Sequence, residues 1–335
     1  MIKYDYVVNP WQVVEQNFPR NRDEAQRLAF LLRYAILAPS SHNTQPWKFA
    51  VSRDEIAIFV NPDHWLRVAD PDQRELYASV GCALENLLIA AEHFGYGYQV
   101  TYFPEVLNQR LVAAVEFLPG QKTTPYRGPE LFDAISARHT NHQPFEPRPI
   151  SEDVLERMNA CVVEEDLSLH LTGDLEARRK ADELAGRAAA IQFADPAFRE
   201  ELGYWLYDDA FGTPWLLAKL AQMAGAYLDL SKYKAKPDGE RLMGAPMLGI
   251  ICSKENERLS QVRVGQAFER IYLTATALGI RLQPLSQIVE VPETRADLAT
   301  LIADKGMIPQ QPFRLGYAEA EASHTPRRPI EEMMA

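Results

Sequence analysis

Apolar positions recur at helical spacing over 25–36, where Ala25, Leu28, Ala29, Leu31, Leu32, Ala35 and Ile36 form one wide stripe. Asn21 or Asp23 can cap this helix, and Pro39 ends it. Short apolar runs at 48–51 and 55–60, split by Ser52-Arg53-Asp54, predict a β-hairpin. A helix follows over 76–94; it is apolar on most sides and stops at Gly95-Tyr96-Gly97, which marks it as central and buried. Strands are expected at 98–103 and 111–117. The first half thus reads helix, hairpin, helix, two strands, an α+β unit. The aromatics Tyr4, Tyr6, Trp11 and Phe18 lack periodicity, so 1–22 is expected to be an arm or short helix packed on the body.

The second half returns to the same theme. A short helix is expected at 131–136, an amphipathic one from Ser151 and Asp153, and strands at 167–171 and 247–252. Residues 174–235 read as largely helical, and a helix over 262–278 stops at Gly279. This last helix carries Val264-Gly265-x-Ala267-x-Glu269, which repeats Val80-Gly81-x-Ala83-x-Glu85; in both, Ala-x-x-x-Gly precedes a strand. The offset is 264 − 80 = 184 residues, about half the chain, and signals a duplication rather than a solenoid. We therefore expect halves at 1–125 and 126–335, the second with a helical insertion at about 174–240. They would pack as an internal pseudo-dimer through the two repeated helices.

Composition narrows the partners. With 335 residues and 47% hydrophobic side chains a sizeable core is available. Lys+Arg 35 against Asp+Glu 46 gives 35 − 46 = −11, a field that repels nucleic acid and anionic lipid. Cys82, Cys161 and Cys252 are scattered without a CxxC pair, which favours buried reduced thiols over a metal site. No leader-like start and no long apolar run are present, so a cytoplasmic location is expected.

The chemistry concentrates in Ala38-Pro39-Ser40-Ser41-His42-Asn43-Thr44-Gln45-Pro46-Trp47, between the first helix and the hairpin. Prolines bound a dense set of short hydrogen-bonding side chains suited to gripping a flat polar ligand. Taken by itself, such a loop is most often a structural turn. A second polar run, Arg138-His139-Thr140-Asn141-His142, opens the second half. By themselves its arginine reads as a surface salt-bridge residue and its first histidine as solvated or core-edge.

The motif Arg33-x-Ala35-x-x-Ala38-Pro39-Ser40-x-x-Asn43-x-Gln45-Pro46-Trp47 resembles the flavin-dependent nitroreductase family. So do the helix with Gly81, Glu85 and Gly95, and the closing Gly316-Tyr317 with Pro326-Arg327-Arg328-Pro329. Length and duplication resemble its tandem, Acg-type branch. The resemblance implies an internally duplicated nitroreductase-like α+β fold, each half a small, mainly antiparallel sheet wrapped by helices. Ordinary members are homodimers that bind FMN at the subunit interface with different motifs from each subunit. Here the loop occurs only in the first half and the Arg138 segment only in the second, so one FMN site is implied.

In that site Ser40, Ser41, Asn43 and Gln45 would meet the ring, and Arg138, His139, Thr140, Arg327 and Arg328 the phosphate. Pro284, Leu285 and Ser286 would cover the ring near N5. His142 stands where relatives often carry Lys or Arg favouring anionic reduced flavin. No catalytic side chain and no metal are implied. The activity implied is NAD(P)H oxidation by ping-pong hydride transfer through flavin N5 to nitroaromatic, quinone or similar small-molecule acceptors. The alternative is an FMN-binding or storage protein with little turnover. The pseudo-dimer would be monomeric or associate further.

Overall fold

A computed structural model describes residues 9–105, 107–120, 124–207, 244–321 and 323–335. The first helix, α1 (Glu24–Ala35), begins at Asp23, whose carboxylate accepts from the Gln26 N–H at 2.9 Å. The hairpin β1 (Trp47–Val51) and β2 (Glu55–Val60) follows, paired antiparallel from Trp47 opposite Val60 to Val51 opposite Ile56. Then come α2 (Arg74–His93), β3 (Tyr96–Tyr102) and β4 (Leu111–Pro119), which complete an antiparallel sheet of order β1-β2-β4-β3. Within residues 9–22, a 3-10 turn at Glu15–Asn17 leads to Phe18, which is buried against Phe30 and Phe94, while Tyr4 and Tyr6 of the expected arm lie outside the described residues.

The second half repeats this order. Behind α3 (Pro129–Ala137) and α4 (Glu152–Asn159) comes β5 (Leu167–Thr172), then the helices α5 (Leu175–Ala194) and α6 (Pro196–Tyr207). After residue 243 follow β6 (Met247–Ser253), α7 (Arg258–Ala277), β7 (Arg281–Pro284), the short α8 (Gln287–Glu290), α9 (Pro292–Ala299) and β8 (Ile308–Gly316). Their sheet, β5-β6-β8-β7, has the topology of the first, position for position. The molecule is therefore an internally duplicated α+β fold. The insertion enters where the first half has only the Ser52-Arg53-Asp54 turn; of its expected helices, 208–235 lie outside the described residues.

The repeated helices α2 and α7 form the centre of the molecule. Residues Arg74 to Ala91 of α2 and Val262 to Ala275 of α7 are almost without exception buried, as the apolar pattern of α2 demands, and α7 carries Gln266, Glu269 and Arg270 into the same interior. Their glycines make the crossing possible. A Cβ on Gly81 would stand 2.1 Å from the Val262 carbonyl oxygen, and one on Gly265 would stand 1.9 Å from that of Ala78. Only glycine permits such approach, and the two positions are 184 residues apart, the offset of the repeat.

Strand β8 escapes sequence inspection. It carries Pro309 and Pro312, which argue against a central strand, yet it lies between β6 and β7. A bulge opposite Ile251 and Cys252 absorbs one extra residue there, and the Pro312 carbonyl accepts from Leu285 N–H at 2.9 Å. The C-terminal tail is also unsignalled: Met334 bridges Phe49 on β1, and Ala335 N–H donates to the Phe49 carbonyl at 2.8 Å. The tail of the second half thus returns onto the first. All three cysteines are buried and free. No described helix is long and apolar enough to cross a membrane, and the described residues hold no cluster of metal-ligating side chains.

Candidate functional site

The loop after α1 is built on strained backbone. His42, Asn43 and Gln45 all have positive φ, at 49°, 52° and 52°. Non-glycine residues in that region cost on the order of 1–3 kcal/mol each, and such strain collects where geometry serves a ligand. Ser40 Oγ accepts from the Gln45 N–H at 2.9 Å and closes the loop on itself. The C-terminal segment locks it from outside. Asn43 Nδ2 donates to the Pro326 carbonyl at 2.9 Å, Arg327 Nη1 donates to Asn43 Oδ1 at 2.8 Å, and Arg328 N–H donates to Gln45 Oε1 at 2.9 Å.

Two arginines converge behind the loop. Arg138, immediately after α3, donates through Nη2 to the Leu37 carbonyl at 2.8 Å, and Arg327 donates to the carbonyls of Leu37 at 3.2 Å and Ala38 at 3.1 Å. These carbonyls are the open C-terminal end of α1, where the helix dipole favours cations. Both side chains are buried, which corrects the reading of Arg138 as a surface salt-bridge residue: it is 2% exposed. Burial together with repulsion from Arg138 holds Arg327 well below the usual guanidinium range, only partly offset by Glu269.

Glu269, on α7, is the carboxylate that faces this pair. Arg138 Nε stands 3.7 Å from its Oε1, and its Oε2 is buried without a hydrogen-bond partner, as is Arg327 Nε. With its amide turned, Asn86 of α2 donates to Glu269 Oε1 at 2.9 Å. Burial pushes Glu269 up to about 7 because Arg138 compensates it incompletely. Above the arginines lies a stack of rings: Trp11 on His324 at 3.9 Å and His324 on His139 at 3.6 Å, with Arg327 4.6 Å from the Trp11 centroid. Burial, then His139, Arg138 and Arg327, push His324 down to about 4.

The pseudo-equivalent position is closed instead. Glu85, 184 residues before Glu269, receives Arg127 through Nε at 2.6 Å and Nη2 at 2.8 Å, Arg270 at 3.0 Å and Gln266 at 3.1 Å. Arg270 also reaches the Cys161 carbonyl at 2.8 Å and both oxygens of Glu164 at 2.7 Å. Cys161 follows α4 as Leu37 follows α1. Burial alone would raise Glu85, but Arg127 and Arg270 outweigh it and hold it low.

The other sequence candidates fall around this centre. Ser41 turns to the opposite side of the loop, donating to Glu75 and accepting nothing from the arginines; its N–H reaches Ser79 Oγ at 3.4 Å. There, with His64 and Trp65, it lines a shallow cleft with room for about one water molecule. Thr140 bridges Leu282 of β7, whose carbonyl also accepts from Asn141 N–H at 3.0 Å and Tyr272 OH at 3.1 Å. His142 is exposed, and its N–H meets Glu321 at 2.6 Å. Pro284, Leu285 and Ser286 are joined to β8: Leu285 is in the second core cluster and Ser286 Oγ accepts from Gln311 at 3.4 Å. Glu269, Asn86, Trp11 and His324 were not singled out by chemistry in the sequence, although the repeat did mark Glu85 and Glu269 as equivalents.

Fold and site together define a duplicated α+β protein in which one of two equivalent positions is sealed by ion pairs and the other keeps an under-compensated arginine pair beside a strained polar loop. No protein-family model matches the chain. It is 27% identical over 330 residues to a Mycobacterium tuberculosis H37Rv protein named "Putative NAD(P)H nitroreductase Rv3131", covering 92% of this chain and 90% of that one. It is 26% identical over 314 residues to "Putative NAD(P)H nitroreductase acg" of the same strain, covering 90% and 93%. Among solved structures, the FMN-dependent nitroreductase NfnB from Mycobacterium smegmatis in complex with NADPH matches 62% of this chain and 97% of its own, at 17% identity and a loose TM-score of 0.40. Over about nine-tenths of its length the chain is similar to proteins named as putative NAD(P)H nitroreductases, in keeping with the resemblance read from its motifs.

Proposed function

We propose that this protein is an FMN-dependent NAD(P)H oxidoreductase that reduces nitroaromatic, quinone or similar small-molecule acceptors by a ping-pong route. The observation that carries the reading is the asymmetry of the two equivalent positions. Arg127 and Arg270 are consumed by Glu85 and Glu164, whereas Arg138 and Arg327 face one carboxylate and retain unsatisfied buried nitrogens. That donor set fits a phosphate monoester, which takes several charge-assisted hydrogen bonds and two cations. When bound, the flavin would supply hydride acceptance and return at N5.

The protein's own part is to bind, orient and shield. Arg138 and Arg327 would hold the phosphate, and the Asn43 amide, fixed by Arg327 and Pro326, would orient the polar loop beside it. Ser40 and Gln45 would present donors and acceptors to the ring edge, whereas Ser41, turned to Glu75, would steady the loop from its other side. The Trp11 and His324 rings, stacked over the arginines, would keep water from the ion pairs. Pro284, Leu285 and Ser286, at the end of β7, would cover the ring. Relatives named NAD(P)H nitroreductases support the electron donor and reaction class.

Titration of the purified protein with FMN tests the cofactor, and anaerobic addition of NADH or NADPH tests the turnover. We expect a yellow complex that bleaches on addition of one of the two nucleotides. Arg138→Ala should weaken FMN binding by about 1–3 kcal/mol, the usual loss of a charged hydrogen bond. Unchanged affinity would remove Arg138 from the site. The covering stack of Trp11, His324 and His139 favours a second reading, a flavin-holding protein with little turnover; it predicts yellow protein that neither nucleotide bleaches quickly.

A further inference from the structure

The duplication placed a glutamate at the same point of both central helices, and the two have diverged in surroundings. Glu85 is saturated: Arg127 and Arg270 engage both oxygens, and Gln266 adds a third donor. Glu269 is equally buried, at 0% exposure, yet where Glu85 faces Arg270 it faces only the neutral Asn86, the residue equivalent to Arg270 in the repeat (270 − 86 = 184). Arg138 is at salt-bridge distance but not in hydrogen-bond contact, 3.7 Å away, because its Nη2 is directed at the Leu37 carbonyl. One carboxylate is a structural ion-pair partner; the other is a loosely held counter-ion.

From this difference we propose that Glu269 is the exchangeable counter-ion of the Arg138–Arg327 pair, and that it takes up a proton from solvent when the phosphate group of an anionic ligand occupies those arginines. The inference rests on the proposed role of the arginines as phosphate ligands. A dianion drawing the Arg138 guanidinium toward itself removes the cation that keeps Glu269 ionised. A buried carboxylate without a cation is costly, and protonation is the inexpensive way out. The exchange balances: one phosphate dianion enters, one proton joins Glu269, and no bond in the ligand changes.

The charged neighbours divide: Arg138 and Arg327 keep Glu269 ionised, Glu85 opposes its charge, and the phosphate would claim the two that keep it ionised. From α2, Glu85 repels a charge on Glu269, and the Cys82 thiol, held well above its usual range, supplies no negative charge of its own. On α7 itself Arg270 is turned to Glu85 and Glu164, and Tyr272, raised to about 12, stays neutral. From the C-terminal segment Arg327 offers a second cation, which the incoming phosphate would claim as well. The free-state position of Glu269, about 7, sets the window: proton uptake is expected above pH 7, where the carboxylate is ionised before the ligand arrives. His324, near 4, and His139, pushed below its usual value, remain neutral in that range.

The test is calorimetric titration of the full-length protein at pH 8 in buffers of different ionisation heat, with FMN and with riboflavin, which lacks the phosphate. A phosphate monoester is already dianionic there, its second pKa being about 6, so protons counted belong to the protein. We expect an uptake approaching one proton per FMN and none with riboflavin. In Glu269→Gln the uptake should vanish, and FMN should bind about tenfold tighter than in wild type at pH 8, one pH unit above the Glu269 value, but equally at pH 6. FMN binding without proton uptake in the wild type, or uptake that persists in Glu269→Gln, overturns the proposal while leaving an FMN site in place. The wild-type measurement decides even if the variant does not fold. Absence of FMN binding at either pH removes both this inference and the proposed function.

Discussion

Gly265→Ala places one methyl group in the tightest part of the molecule. Its Cβ would lie 1.9 Å from the Ala78 carbonyl oxygen and 2.7 Å from the carbon bearing it, both backbone atoms of a helix buried on all sides. Ordinary contact begins near 3.4 Å, so α2 and α7 would have to part by roughly 1.5 Å (3.4 − 1.9). Overpacking by a methylene costs about 1–3 kcal/mol where side chains can yield. Here neither neighbour can rotate away, so we expect at least the upper end, about 3 kcal/mol. The higher helix propensity of alanine returns only about 1 kcal/mol.

Urea unfolding followed by circular dichroism measures this cost. Gly186→Ala is the reference: its Cβ would meet nothing within 4 Å on α5, so it should stabilise by up to about 1 kcal/mol. Gly265→Ala should shift the midpoint in the opposite direction. It should also disturb Glu269, one turn further along the same helix, and with it the arginine pair. A Gly265→Ala protein as stable as wild type would refute the close crossing of α2 and α7.

Arg127→Met should cost about 3–5 kcal/mol of stability at pH 7, because Glu85 is fully buried and would lose two of its donors while still ionised. Arg138→Met should cost less at the same pH, since Glu269 already stands near neutrality and can take a proton; equal losses would contradict the asymmetry. The His324 ring should make the protein acid-sensitive. Its folded value, about 4, lies below the ordinary 6.5, so the unfolded chain binds the proton first and stability is lost as pH falls from 6.5 through about 4. Thermal unfolding of His324→Asn over that range should show a shallower fall, and an unchanged slope would place the sensitivity elsewhere.

The linear pattern of residues determined the local elements well. Asp23 capping α1, the turn at Ser52-Arg53-Asp54, and the helices stopped by Gly95 and Gly279 all depend on neighbours within a few positions, which sequence displays directly. The Val-Gly-x-Ala-x-Glu repeat even announced the crossing of α2 and α7, because only a glycine can serve such an approach. It could not announce β8, whose Pro309 and Pro312 are tolerated only through a bulge and through a bond from Leu285, nor the return of Met334 and Ala335 to β1.

The site was legible in its residue types and illegible in its electrostatics. The strained loop, Arg138 and Arg327 were visible as polar motifs, and the fold brings Asn43 and both arginines to the end of α1. Whether Arg138 is exposed or buried, and whether a repeated glutamate is saturated or loosely held, depends on which cations arrive from distant segments: Arg127 and Arg270 reach Glu85 from 42 and 185 residues away. Sequence alone therefore determined that this protein is two related halves with one distinctive polar loop. Only the tertiary structure decided that Glu85 is sealed by Arg127 and Arg270 while Glu269 is left with a neutral amide and a distant guanidinium, since burial and charge are properties of assembled neighbours and not of a residue's place in the chain.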